Sequence, residues 1–155
     1  MKTQNSFREH GDTVNAEEAA IRRRLDTLTD GLRAKDLEAL RQGYTTDVVS
    51  FDVEPPLQHA GVAAKLDNWA KVFRIFHEVD YEFRDLRVTV GADVAFAHGF
   101  GRLRGTLGDG TVTPGMWVRA TFGLRKIDGV WLIAHDQVSV PLDIVGGTGV
   151  VDLEP

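Results

Sequence analysis

The sequence predicts an α+β fold in which three N-terminal helices cover one face of a curved antiparallel sheet that rolls into a cone. Three observations carry this reading. Apolar residues recur at helical spacing only in the first half, as Ile21, Leu25, Leu28 and Leu32 and again as Leu66, Trp69 and Phe73. From Val79 onward the pattern changes to long strand-forming runs broken by Gly108-Asp109-Gly110 and Asp128-Gly129. The strands follow the helices rather than alternating with them, which favours an antiparallel sheet over βαβ units.

Each element has a local reason. Residues 1–14 are polar and mixed, and read as a flexible N-terminal arm. Asn15 reads as an N-cap, with Glu17 and Glu18 in the first turn, where the helix dipole favours anions. That helix ends near Ala34, and Asp36 caps a short second helix carrying Leu37 and Leu40. Val48, Val49 and Phe51 form a short strand that leads to Asp52. Glu54-Pro55-Pro56 stops regular structure, because proline lacks a donor and restricts its predecessor. Gly61 precedes a third helix over about 62–77. Strands then run over 79–90 and 94–106, and a hairpin closes on Lys126-Ile127-Asp128-Gly129, a strong turn signal between alternating arms. The domain spans 15–141, and 142–155 form a tail or a short edge segment.

Composition narrows the function. A chain of 155 residues is most simply one domain with a real core. Net charge is −5 with no basic stripe, which excludes a nucleic-acid partner of the usual kind. No cysteine is present, so disulfides and thiolate chemistry are excluded. No apolar run approaches the ~20 residues of a membrane span, and the polar N-terminus lacks the apolar core of a signal peptide. The expectation is a soluble, cytoplasmic protein. A GxGxxG, a P-loop and a GxSxG elbow are all missing, which disfavours a nucleotide cofactor and a serine hydrolase; no cofactor and no metal are expected.

A few residues carry candidate chemistry. Asp52, at a strand end among apolar residues, reads as a general base or as a turn cap. His98 lies between Phe96 and Phe100 on one strand face; it is either an internal proton carrier or a core histidine bonded to backbone. Asp136 shares a face with Leu132, Ala134 and Val138 by strand parity, and an acid there needs a partner. Arg119 could clamp an anionic ligand, pair across a subunit interface, or lie over Trp117. His59 and His77 read as surface residues. Adjacent His135 and Asp136 point apart in a strand, so a shared metal is disfavoured.

Four blocks taken together resemble a known family. They are AKDLEAL (34–40) followed by YTTDVVSFD (44–52), EPPLQHAG (54–61) with the helix bearing Trp69, DVAFAHG (93–99), and WVRATFGLRKIDGVWLIAHDQVSVP (117–141). In order and spacing the chain resembles the SnoaL-like branch of the nuclear transport factor 2-like superfamily, which includes polyketide cyclases and ketosteroid isomerases. The resemblance places Asp52 at the general-base aspartate of the isomerases, Tyr44 on a pocket-lining tyrosine, and His98 and Asp136 on pocket-lining strand positions. The isomerases' oxyanion donors correspond to Leu28 and to Thr121 or Phe122, so their oxyanion hole is missing and steroid isomerisation is disfavoured.

The resulting expectation is a protein that binds a small apolar molecule, as a cofactor-free isomerase, cyclase or dehydratase working by acid–base chemistry on a carbonyl compound. Asp52, His98 and Asp136 would be catalytic. Tyr44, Trp69, Phe73, Phe96, Phe122 and Arg119 would contact the substrate. The alternative is a non-catalytic ligand-binding or dimeric assembly module. Trp117, Arg119, Trp131, His135 and Gln137 would then form a sheet-face interface between two copies, since aromatics and arginine are enriched at interface cores.

Overall fold

The computed structural model describes residues 3–155, with no side-chain description for residues 3–10 and 12. Met1 and Lys2 of the expected arm lie outside the described residues. Three helices come early: α1 (Thr3–Ala34), α2 (Leu37–Arg41) and α3 (Val62–Ile75). The strands are β1 (Tyr44–Phe51), β2 (His59–Ala60), β3 (Phe76–Val90), β4 (Val94–Leu107), β5 (Val112–Ile127), β6 (Val130–Ser139), β7 (Leu142–Asp143) and β8 (Thr148–Gly149). Strands β1 to β6 form one sheet in the order β2-β1-β6-β5-β4-β3, curved and not closed, and β7 and β8 form a separate small hairpin. All pairings in the large sheet are antiparallel except β1 with β6.

Helix α1 begins well before Asn15, so residues 3–14 are helical backbone rather than a coil arm. The stretch contains no proline, and Gly11 costs an exposed helix only about 1 kcal/mol. The cap on α2 is as the sequence predicts: the Asp36 carboxylate accepts the N–H groups of Glu38 and Ala39, each at 3.0 Å. The Asp128-Gly129 turn is also as predicted, with both residues at positive φ (50° and 80°), the pairing that a two-residue turn joining twisted strands requires.

The core lies between α1, α2, α3 and one face of the sheet. Ile21, Leu25, Leu28 and Leu32 of α1 pack with Val79, Tyr81, Ala95, Ala97, Ala120, Phe122, Leu124, Trp131 and Ile133. Helix α1 also manages the long edge strand β3. Arg22, Arg33 and Lys35 donate to the carbonyls of Leu86, Tyr81 and Phe76 at 3.2, 2.7 and 2.6 Å. Occupied edge carbonyls are unavailable for pairing with another chain.

Two irregularities decide which side chains face inward. In β6 the pairing with β5 jumps between Gly123↔His135 and Leu124↔Ile133, leaving Ala134 as an extra residue. A bulge reverses strand parity. Trp131 and Ile133 are therefore buried on the same side as Asp136, although strict alternation separates them. This corrects the expected interface set: Trp131 is a core residue, its indole N–H bonded to Glu17 at 2.5 Å. A second irregularity between Arg84 and Arg87 of β3 centres on Asp85, at φ 55°.

Candidate active site

Strand β1 presents Tyr44, Val48, Ser50 and then Asp52 toward the helices, and Ser50 and Asp52 share a face because they are two residues apart. Helix α3 faces them with Lys65, Asn68 and Trp69, which neighbour one another at i, i+3 and i+4. Strand β2 adds His59, paired in register with Ser50. Strand β6, turned inward by its bulge, adds Asp136, which also pairs with Ser50.

These residues form one polar cluster inside an apolar core. The Lys65 ammonium donates to Ser50 Oγ at 2.8 Å and stands 3.1 Å from Asp136 Oδ2 and 3.4 Å from Asp52 Oδ1. Ser50 Oγ donates to Asp136 Oδ1. The Asn68 amide donates to Asp52 Oδ2 at 2.9 Å, and His59 Nε2 stands 3.5 Å from the same oxygen. Side-chain exposure is 3% for Lys65 and 7% for Asp136, and rises to 14% at Asp52. The cluster is thus sealed at Lys65 and opens at Asp52. The Lys65 ammonium also lies 5.4 Å from the Trp69 ring and 6.0 Å from the Tyr44 ring, within cation–π range.

The electrostatics follow from burial and pairing. Burial pulls the Lys65 ammonium down, but the charges of Asp136 and Asp52 outweigh it and lift the group above the ordinary lysine value. Lys65 is therefore a cation, not a nucleophilic amine. Its three hydrogens face Ser50, Asp136 and Asp52, so none is left over. Burial pushes the phenols of Tyr44 and Tyr81 up, and both stay neutral hydroxyls at neutral pH. Tyr81 can lie across β4 because residue 101 is glycine; a Cβ there would sit 2.1 Å from the Tyr81 hydroxyl.

Four expected site residues come together here: Asp52, Asp136, Tyr44 and Trp69. The Trp69 indole N–H donates to the Tyr44 hydroxyl at 3.4 Å, and Phe73 stacks on Trp69 at 6.2 Å. Phe122 is buried on the same sheet face, paired with Asp136 in register and in edge contact with Phe83 at 5.6 Å.

Three expected residues stand elsewhere. His98 and Phe96 are exposed on the opposite face of the sheet, stacked on each other at 6.4 Å, and Phe96 is 49% exposed. The inner side of β4 is taken by Ala95, Ala97, Gly99 and Gly101, small residues that leave room for Tyr81 and α1. A histidine between two phenylalanines reads as internal only if bulk decides the face; here crowding decides it. Arg119 is exposed on the outer face too, bonded to Ser139 Oγ and the Val140 carbonyl at 3.2 and 3.1 Å.

Sequence reasoning missed Ser50, His59, Lys65 and Asn68. Lys65 carried a usable signal: it sits one turn before Trp69, on the apolar stripe of α3. His59, read as a surface residue, is buried, because β2 pairs with β1 after the double-proline turn. Among the described residues no three carboxylate or histidine side chains are arranged to hold a metal ion. A separate cleft of about 250 Å³ between α1 and the β5–β6 turn is lined by Arg23, Arg24, Thr27, Val130 and Trp131, and contains none of the cluster. No described helix is long and apolar enough to cross a membrane.

Comparison with known proteins gives a consistent family. The model of the SnoaL-like domain matches residues 21–143. Among solved structures, an NTF2-like protein of unknown function from Pseudomonas putida is 28% identical, with 91% of this chain and 98% of that chain covered at a TM-score of 0.81. A ketosteroid isomerase-like protein from Erwinia carotovora atroseptica is 25% identical, with 78% and 93% covered at a TM-score of 0.65. A candidate scytalone dehydratase from Novosphingobium aromaticivorans is 15% identical, with 83% and 86% covered at a TM-score of 0.71, a likeness of fold alone. No curated protein matches the chain.

Proposed function

The chain belongs to the SnoaL-like family of the NTF2-like superfamily, and from that premise we propose that it binds a small apolar carbonyl compound beside Asp52 and acts on it by cofactor-free acid–base chemistry. One observation carries the reading: a carboxylate at the more exposed end of a buried charged cluster, fixed by Lys65 and Asn68, with the Tyr44 and Trp69 rings against the Lys65 ammonium. A carboxylate held by donors at the partly exposed end of an otherwise apolar core is placed to take a proton from an apolar ligand. Asp136 touches Lys65 and Ser50 rather than the open end, so its part is to place the ammonium. His98, on the other sheet face, has no part.

Binding and chemistry separate in one experiment. A thermal-unfolding screen of small ketones and aromatic carbonyl compounds identifies ligands, since saturation at about 100 Kd stabilises by about 2.7 kcal/mol. Asp52→Asn then keeps the binding shift and loses turnover. Unchanged turnover in Asp52→Asn removes Asp52 as the base.

A second copy of the chain on the outer sheet face is the further part of this reading. Phe51 and Phe96 stand exposed there, beside His135 and His98. Trp117 contributes less, because Arg84 and Arg102 cover its ring at 4.3 and 4.6 Å. A monomer in light scattering at micromolar concentration overturns the dimer and leaves the acid–base reading untouched.

A further inference from the structure

Helix α1 carries the run Arg22-Arg23-Arg24, and its guanidinium groups meet different fates. Arg22 pairs with Glu18 at 2.9 Å, and Arg33, further along the helix, pairs with Asp80 at 2.8 Å. Arg23 and Arg24 have no carboxylate partner among the described residues. Both line the cleft of about 250 Å³ between α1 and the β5–β6 turn, apart from the Asp52 cluster. We propose that this cleft is a binding site for a small organic carboxylate with a compact apolar body, its carboxylate held by Arg23 and Arg24.

The helix builds one wall of the cleft. Ala20, Arg23, Arg24 and Thr27 follow one another at i, i+3, i+4 and i+7, and so share a face. Arg23 is exposed and Arg24 half-buried. Arg24 is held in place by its Nε, which donates to the Trp131 carbonyl at 2.9 Å. Its terminal nitrogens carry further N–H groups, and these have no acceptor among the described residues. Two like charges at adjacent positions repel, and an oxyanion set between them relieves both. The chain's own acid on this face cannot serve. Glu17, one turn before Ala20, is engaged by Lys126 at 2.6 Å and by the Trp131 indole N–H at 2.5 Å.

The rest of the cleft selects the ligand. Guanidinium groups match a carboxylate edge-on, two N–H groups to two oxygens. A phosphate needs donors on more sides, and the cleft does not supply them. The Thr27 hydroxyl already donates to the Arg23 carbonyl at 2.8 Å, and the side chains of Ala20 and Val130 are apolar. They suit a compact hydrocarbon body instead. A Cβ added at Gly129 would meet nothing within 4 Å, so the turn leaves that side open for entry. The site stands independently of the acid–base reading, because the cleft contains none of the Asp52 cluster.

The test titrates the isotope-labelled full chain with benzoate at constant ionic strength and follows its N–H signals by NMR. The amides of Gly129 and Val130 and the Trp131 indole shift together and saturate in roughly the millimolar range, the affinity that partly solvated ion pairs and a small apolar contact supply. Arg24→Gln weakens benzoate by about tenfold or more, and Arg23→Gln by less, since Arg23 is exposed. Arg119→Gln, on the outer sheet face, leaves the affinity unchanged. Should Arg24→Gln fail to fold without its bond to Trp131, Thr27→Glu decides. It stands at an exposed helical position one turn from both arginines, adds a carboxylate there, and abolishes benzoate binding. Shifts that do not saturate, or that scatter over the surface, overturn the site. Benzoate bound equally well by Thr27→Glu overturns its assignment to the two arginines. Acetate binding as tightly as benzoate overturns the apolar body, and inorganic phosphate binding more tightly overturns the carboxylate class.

Discussion

The two faces of the sheet use the same ingredients in different solvents. Inside, Lys65 sits between Asp136 and Asp52 and near two aromatic rings. Outside, Arg102 pairs with Glu82 and lies with Arg84 over Trp117, while Asp80 joins Arg33 and Arg104 at 2.8 Å each. The inner cation is 3% exposed; Arg104 and Arg33 are 42% and 45% exposed. Burial rather than composition separates the two. A water-facing charge that loses its partner is resolvated, whereas a buried one is stranded. The inner cluster is therefore a constraint on the fold, and the outer one an adjustment to it.

The largest effect that follows is at Lys65. Lys65→Met strands the Asp136 carboxylate and destabilises by about 3–5 kcal/mol, measured by urea unfolding. Lys65→Met with Asp136→Asn recovers much of that loss, because the most deeply buried carboxylate is then neutral and Asp52, 14% exposed, keeps its hydrogen bond from Asn68. A single-variant cost under about 1 kcal/mol would erase the contrast between the faces. Gly101→Ala comes next. Its Cβ meets the Tyr81 hydroxyl, and overpacking of this kind costs about 1–3 kcal/mol, with Tyr81 displaced from the site. On the outer face Arg102→Met costs less than about 1 kcal/mol by the same assay, since the pair is partly solvated. A larger loss would mean that Trp117 depends on its arginine cover.

The same contrast explains what the sequence disclosed. Helix periodicity in Ile21, Leu25, Leu28 and Leu32, the Asp36 cap and the Asp128-Gly129 turn are local signals, and they read correctly. Asp52 and Trp69 were legible as candidates because strand-end and helix-face positions are local too, whereas Tyr44 entered through the family resemblance. The facing of β4 and β6 was not legible. It depends on a bulge at Ala134 and on the crowding that puts Ala95 and Ala97 inside and leaves His98 and Phe96 outside. His59 was missed for a related reason: a two-residue strand after a double-proline turn has no periodicity to read. Lys65 was the signal passed over, a charge on an apolar stripe where nothing but a buried partner would hold it.

The smallest effects are those of pH, and they separate the faces by direction. Asp80 is held below the ordinary aspartate value by its hydrogen bond to Arg33, then by Arg104. A lowered folded value means stability that is complete above the ordinary aspartate range and is lost as pH falls through the lowered one. Its side chain is 35% exposed, so solvent screens most of that contribution. Lys65 is raised against the pull of burial, chiefly by Asp136. Its contribution is complete below the ordinary lysine value of about 10.4 and is lost only at higher pH. Urea midpoints measured on acidification fall slightly less in Asp80→Asn than in the wild type, and Lys65→Met leaves that acid limb of Asp80 in place. On the alkaline side the order reverses: the wild type loses stability as Lys65 discharges, and Lys65→Met with Asp136→Asn, already uncharged there, does not. An acid limb abolished by the Lys65 variants would mean that the two faces titrate as one network.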